Sequence, residues 1–381
     1  MTSEQEARQF LLDNPYYCAK PFYSKTYEAD NQISWCCHYT ELFKTEEEFD
    51  QADRSKFLGN KPVKGCEFCY DVEKTGPYSE RITESEHVLY RKPQWLESQT
   101  PSHMYIRFSN LCNSACRMCV GTNSTLWSKV TETSDQYPFL EISDSNWEQT
   151  KRDLQNPSLE EIHLFGGEPL LSPRFPELLD IIDEKVNVMV NTNCTVYKKE
   201  WFDRLEKQSN VDFMMSIDAY GSLNEYLRWP CKWDSIKKNV DNFFKHKFNF
   251  IAVPVINIYN ILQIDELFDF YEEYLKAGVI NEHNFYLRPN FCWEPTWMSP
   301  KTLPQEILDD AKTRLLELEK RHNLPSNTAW LDTLIQMKSD HEENPDLWKE
   351  FQANTARWDL IQNMQCKDHA TELFTLLKGK I

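Results

Sequence analysis

The stretch Asn110-Leu111-Cys112-Asn113-Ser114-Ala115-Cys116-Arg117-Met118-Cys119 puts three cysteines on one short piece of chain, with three and then two residues between them. It follows Met104-Tyr105-Ile106-Arg107-Phe108, an apolar-alternating run that reads as a strand delivering the cysteines into a loop. Such spacing lets one loop wrap three thiolates around a single small object. A structural zinc ion wants four protein ligands, and no fourth Cys or His follows nearby. A [4Fe–4S] cube accepts three thiolates and leaves one iron open. Taken alone, the cysteines leave two readings standing, a cluster or three structural thiols.

A second motif lies at the end of a second apolar run. Glu161-Ile162-His163-Leu164-Phe165 leads into Gly166-Gly167-Glu168-Pro169, where glycines permit positive φ and close backbone approach beside one carboxylate. Three cysteines after a first strand and Gly-Gly-Glu-Pro after the next resemble the radical S-adenosylmethionine (SAM) superfamily. The resemblance implies a [4Fe–4S] cluster on Cys112, Cys116 and Cys119, whose open iron chelates SAM. It implies reductive cleavage of SAM to methionine and a 5′-deoxyadenosyl radical, which takes a hydrogen atom from substrate. Gly166, Gly167 and Glu168 would then meet the SAM ammonium, a group that needs acceptors such as carbonyls and a carboxylate.

The elements that must position these residues alternate. Strands are predicted at 104–109, 161–165, 187–191, 212–217, 250–256 and 284–288. Helices are predicted at 146–156, 176–185, 198–207, 233–246 and 263–276, with Asp144 and Ser145 as caps for the first. Strand–helix alternation means parallel strands with crossover helices. The expected fold is α/β, a partial (β/α)6 barrel of the radical SAM type, with active-site residues at the C-terminal strand ends. At the fourth strand end the resemblance implies Ser216 as a polar SAM contact, and in the element that follows, by position, Arg228 as a partner for the SAM carboxylate, which suits a planar guanidinium. The resemblance also adds Asn257 near the ribose; family members commonly carry glycine where Cys194 stands. Turn-building is the plainer alternative for Asn and Ser there. Cys292, past the sixth strand near Trp293 and Trp297, reads either as a buried small hydrophobe or as a hydrogen-atom donor to a substrate radical.

Residues 1–100 are expected to be an irregular, aromatic-rich module carrying Cys18, Cys36, Cys37, Cys66 and Cys69. Gly65 suits a tight turn before the Cys66-Glu67-Phe68-Cys69 pair. The stretches around Cys18 and Cys36 resemble the auxiliary-cluster (Twitch/SPASM) module of many radical SAM enzymes. That resemblance implies a second [4Fe–4S] cluster on Cys18, Cys36, Cys66 and Cys69. Asn31 stands where the module has a turn glycine, and Asn is the next-best residue for a left-handed position. A zinc site or buried thiols are the alternatives. Trp95 with Pro93 and Pro101 reads as a linker into a barrel over 101–299. Residues 300–381 read as a helical extension with helices at 303–321, 328–339 and 345–364. Trp348, Phe351, Trp358, Leu360 and Ile361 are read as packing residues there. Lys378 and Lys380 suit a helix C-terminus.

Composition narrows the function classes. With 42 basic and 60 acidic residues, the formal net charge is −18. A surface so acidic repels nucleic-acid phosphates and anionic membranes. No apolar run approaches a membrane span and the N-terminus is acidic, unlike a signal peptide. Twelve cysteines in a large chain without such a signal point to metal binding rather than disulfides. The expectation is a cytoplasmic, oxygen-sensitive radical SAM oxidoreductase or modifying enzyme, served by an electron donor such as flavodoxin or ferredoxin. A small-molecule substrate is favoured over a peptide, because no leader-binding winged helix is seen before residue 100. The competing class is a metal-stapled binding protein without chemistry.

Overall fold

Period-two burial marks the strands that carry the motifs. In Glu161–Phe165, Ile162 and Leu164 are buried while Glu161, His163 and Phe165 are half-buried. Asn187–Thr192 repeats the pattern with Val188 and Val190 sealed and Asn187 and Met189 half-open. One face of each strand is dry core and the other stays partly accessible, as alternating side chains dictate. The computed structural model describes every residue except 2, 60, 76–78, 98–99, 327–328 and 378–381. Lys378 and Lys380 therefore lie outside the described residues.

Contacts divide the chain into two units: Met1–Asn110, Leu140–Val190 and Lys207–Val211 in the first, Leu111–Phe139, Asn191–Glu206 and Asp212–Ile381 in the second. The first unit holds β1 (Ser24–Tyr27), β2 (Ile33–Ser34), β3 (His103–Arg107), β4 (Glu161–Phe165) and most of β5 (Asn187–Thr192). Their order is β2-β1-β3-β4-β5. Only the β1–β2 pair is antiparallel; β1 and β3, β3 and β4, and β4 and β5 pair in parallel. Helix Asp144–Leu154 buries Trp147, Thr150 and Leu154. Its cap is Ser143, whose hydroxyl accepts from Asn146 N–H at 3.3 Å. The cap thus lies one residue before the expected Asp144, which instead puts its charge in the first turn.

The N-terminal hundred residues are not irregular. Helices Glu4–Asp13 and Glu80–Arg91 pack Ala7, Leu11, Val88 and Leu89 into one cluster with Tyr17, Ala19, Tyr23 and Trp95. Trp95, expected in a linker, is 1% exposed and belongs to that core. The strand β1 adds to the edge of the parallel ladder through β3. The strands β1 and β2, of four and two residues, are too brief for their periodicity to stand out in sequence.

In the second unit β6 (Val211–Met215), β7 (Asn249–Ala252) and β9 (Phe285–Leu287) are parallel neighbours. The expected strand 250–256 is broken: β7 ends at Ala252, and β8 (Val255–Ile256) pairs instead with β10 (Asn290–Phe291). Pro254 sits in the break, where it has no N–H to give a ladder. Helix Trp233–Phe243 buries Trp233, Ile236, Val240 and Phe243, the spacing of one helical face. The C-terminal helices are Gln305–Arg321, Ala329–Gln336, Pro345–Gln362, Cys366–His369 and Thr371–Leu376. Phe351 and Trp358 are buried as expected of packing residues, whereas Leu360 is 84% exposed. The expected α/β alternation of parallel strand and helix is thus present, with further elements before and after it.

Candidate active site

The cysteine loop lies wholly in the second unit and is held by backbone on both sides. Ala115 N–H donates to Trp229 O at 2.7 Å and Arg117 N–H to Leu227 O at 2.9 Å, so the end of helix Gly221–Leu227 fixes the loop's path. Cys119 N–H turns back to Cys116 O at 3.0 Å. Ser124, the N-cap of helix Thr125–Val130, donates to Ser114 O at 2.6 Å. The loop is therefore preorganised by bonds that do not involve its thiols.

Donors converge on the sulfurs. Ser114 N–H points to Cys112 Sγ at 3.4 Å and Asn193 Nδ2 to the same atom at 3.9 Å. Arg228 Nη1 faces Cys116 Sγ at 3.8 Å. Burial pushes the Cys116 thiol well above its usual range, and Arg228 is the largest influence pulling it down. N–H donors around thiolate sulfur are how a protein stabilises and tunes an iron–sulfur site. The donor set fits a cluster held by Cys112, Cys116 and Cys119.

Arg228 is the residue expected to face the SAM carboxylate. Its Nε and Nη2 are held by Asp218 Oδ2 and Oδ1 at 2.6 and 3.0 Å, leaving Nη1 toward Cys116. Asn257 is the residue expected near the ribose. It is fully buried, donates to Val255 O at 3.0 Å and accepts from Tyr259 N–H at 3.0 Å. Its amide bonds within its own turn. Cys292, read alternatively as a hydrogen-atom donor, is 2% exposed and its thiol donates to Glu294 O at 3.2 Å. Burial, with Asp218 and Glu294 adding to it, pushes that thiol up to about 12. A covered, bonded sulfur is the common setting of a free cysteine that packs as a small hydrophobe. Ser216 follows β6 directly, is half-buried, and donates its N–H to Thr192 O at 2.9 Å.

The glycine motif lies in the first unit, directly after β4. Gly166 has φ +121°, and a Cβ there would meet Arg107 Cγ at 2.6 Å and Ser109 O at 2.9 Å. Both the conformation and the crowding require glycine. Gly167 N–H donates to Ser109 O at 3.1 Å. Glu168 is 2% exposed and caps the turn Pro169–Leu171, its Oε1 accepting from Leu170 N–H at 3.2 Å.

The N-terminal cysteines also lie in the first unit. Asn31, the stand-in for a turn glycine, has φ +70° and Gly65 has φ +91°. Cys18 and Cys69 are buried; Cys36, Cys37 and Cys66 are half-buried. Cys18 acts electrostatically on both Cys36 and Cys66, and Cys69 on both Cys18 and Cys66. Two buried cations stand among them. Lys20 is 1% exposed, bonded to Glu80 at 2.7 Å and to the Tyr105 hydroxyl. Arg81 is 4% exposed and bridges Glu73 and Tyr17 O. Both lower the Cys18 thiol against the burial that raises it to about 12.

Three parts of the second-unit site had no sequence signal: Asp218, Asn193, and the anchor of Arg117. That guanidinium lies between two of the cysteines in sequence, yet bonds Asp359 at 2.8 Å and Gln362 at 2.7 Å on helix Pro345–Gln362. Cys194 did leave a signal. It has φ +61°, the left-handed conformation that suits a position commonly occupied by glycine.

Among known families, residues 106–271 match the Radical SAM superfamily. No curated protein matches. Among solved structures, the chain is similar to anSMEcpe with bound AdoMet, at 17% identity and TM-score 0.46, over 60% of this chain and 64% of that one. It is similar to SuiB of Streptococcus suis bound to the precursor peptide SuiA, at 16% identity and TM-score 0.41, over 70% and 63%. It is also similar to methylornithine synthase (PylB), at 14% identity and TM-score 0.35, over 58% and 64%. The chain spans less than two thirds of the length of each of these proteins. Residues 106–271 form a radical SAM superfamily domain.

Proposed function

We propose that this protein is a radical SAM enzyme that oxidises or otherwise modifies an organic substrate, a small molecule or a peptide. The observation that carries the reading is the cysteine loop, where Ser114 and Asn193 direct N–H donors at Cys112 Sγ and Arg228 directs one at Cys116 Sγ. Bound together, a [4Fe–4S] cluster and SAM supply reductive cleavage of the sulfonium and a 5′-deoxyadenosyl radical that takes hydrogen from substrate. The chain's own residues position and tune. Cys112, Cys116 and Cys119 hold the cluster, and the buried Glu168 carboxylate with the Gly166 and Gly167 backbone accepts the SAM ammonium. Ser216 adds a polar contact to SAM.

Residues 1–100 act in this reading as an auxiliary module, with Cys18, Cys36, Cys66 and Cys69 on a second [4Fe–4S] cluster. The buried Lys20 and Arg81 among these thiols support it, because an anionic cluster in low dielectric needs nearby positive charge. Residues 101–299 form the catalytic barrel and 300–381 an extension that braces it. Electrons come from a small carrier such as flavodoxin or ferredoxin, and the location is cytoplasmic. No helix among the described residues is long and apolar enough to cross a membrane.

The test is anaerobic reconstitution with iron and sulfide, followed by dithionite and SAM. Formation of 5′-deoxyadenosine and methionine is expected. A fully loaded protein that leaves SAM intact would overturn the assignment.

A further inference from the structure

We infer that the buried pair Asp218–Arg228 sets the reduction potential of the cluster through the sulfur of Cys116. The inference rests on the cluster reading above and extends it to two positioning residues. Asp218 lies three residues past β6 and is fully buried. A carboxylate so removed from water must be paired and hydrogen-bonded. Asp218 meets this with three donors: Arg228 Nε at 2.6 Å, Arg228 Nη2 at 3.0 Å and Val255 N–H at 2.9 Å. Its own backbone is pinned, with N–H to Asn224 Oδ1 at 3.1 Å and O accepting from Asn260 Nδ2 at 2.8 Å.

The planar guanidinium is thereby clamped along one edge, and the remaining nitrogen, Nη1, has one direction left. It faces Cys116 Sγ at 3.8 Å. Val255 N–H reaches Asp218 because Pro254 breaks the strand just before it and frees that donor from the ladder. The break, the acid, the base and the thiol form one chain of contacts within the second unit. A hydrogen bond and a positive charge at a cluster sulfur favour the reduced, more negative state, and the Asp218 charge offsets part of that effect. Arg228 raises the potential and Asp218 trims it.

The experiment is an EPR-monitored redox titration of anaerobically reconstituted protein, following the signal that changes when SAM is added. Asp218→Asn leaves the guanidinium uncompensated. At the potential where wild type is half reduced, its reduced-to-oxidised ratio should rise about tenfold, equivalent to about 59 mV for one electron. The double variant Asp218→Asn with Arg228→Gln keeps the pair neutral but removes the charged donor, and its ratio should fall below wild type. A pair that serves only the fold would lower thermal stability and leave both ratios within twofold of wild type at full iron content. That outcome overturns the inference alone. Wild type that binds no iron at the cysteine loop overturns the cluster reading, and this inference with it.

Discussion

At the level of single residues, Glu168 carries the sharpest expectation. Its carboxylate is 2% exposed and accepts from Leu170 N–H at 3.2 Å, so it is already oriented before any ammonium arrives. Glu168→Gln keeps the shape and removes the charge. SAM binding measured by calorimetry should weaken by about 1.5–3 kcal/mol, the worth of a hydrogen bond to a charged group. Unchanged affinity would exclude the ammonium contact. Cys292, with its thiol covered and bonded to Glu294 O, should behave as packing. Cys292→Ser should cost stability yet leave the product unchanged, and wild type run in D₂O should add no deuterium at a substrate carbon. Solvent deuterium lost in the variant would restore the donor role. Some of this was legible before any coordinates. Asn31 and Cys194 were singled out as glycine-like positions, and both have positive φ because local sterics decide such conformations. Arg228 stood out in the sequence by its position, but its contacts did not, since nothing in sequence ties residue 228 to Asp218 and Cys116.

Among the elements, the most consequential contact joins the cysteine loop to the C-terminal helix Pro345–Gln362. Arg117 has a fully buried side chain and lies over the Tyr226 ring at 3.5 Å, with Asp359 and Gln362 as its acceptors. Asp359 also accepts from Tyr226 OH at 2.7 Å and from Cys366 N–H at 2.8 Å. Removing that carboxylate leaves a buried cation without its partner, at a cost of about 3–5 kcal/mol. Asp359→Ala should therefore lower the thermal midpoint of the cluster-loaded protein and speed iron release to a chelator. Wild-type release kinetics would show that the extension does not brace the loop. This tie spans 242 residues, beyond any periodicity or motif. The strands β3 and β4 were legible because each leads into a motif, and β4, β5 and β6 because they alternate, whereas the parallel strand β1 carries no alternation. The break between β7 and β8 was readable only at Pro254.

For the whole molecule, the two cysteine groups lie in different units, each with its own donors and buried cations. Loss of one should therefore leave the other able to load. Arg228, Arg81 and Lys20 are buried near thiols, each paired with a carboxylate, Asp218, Glu73 and Glu80. The measurement that bears most directly on the account is iron content together with the EPR spectrum of dithionite-reduced protein, with and without SAM. Wild type is compared with the variant changing Cys112, Cys116 and Cys119 to Ala. The account predicts about eight irons per chain in wild type, as two [4Fe–4S] clusters, and about four in the variant. SAM should change the spectrum of wild type only. A variant that keeps the full iron content, or whose spectrum still responds to SAM, would contradict it.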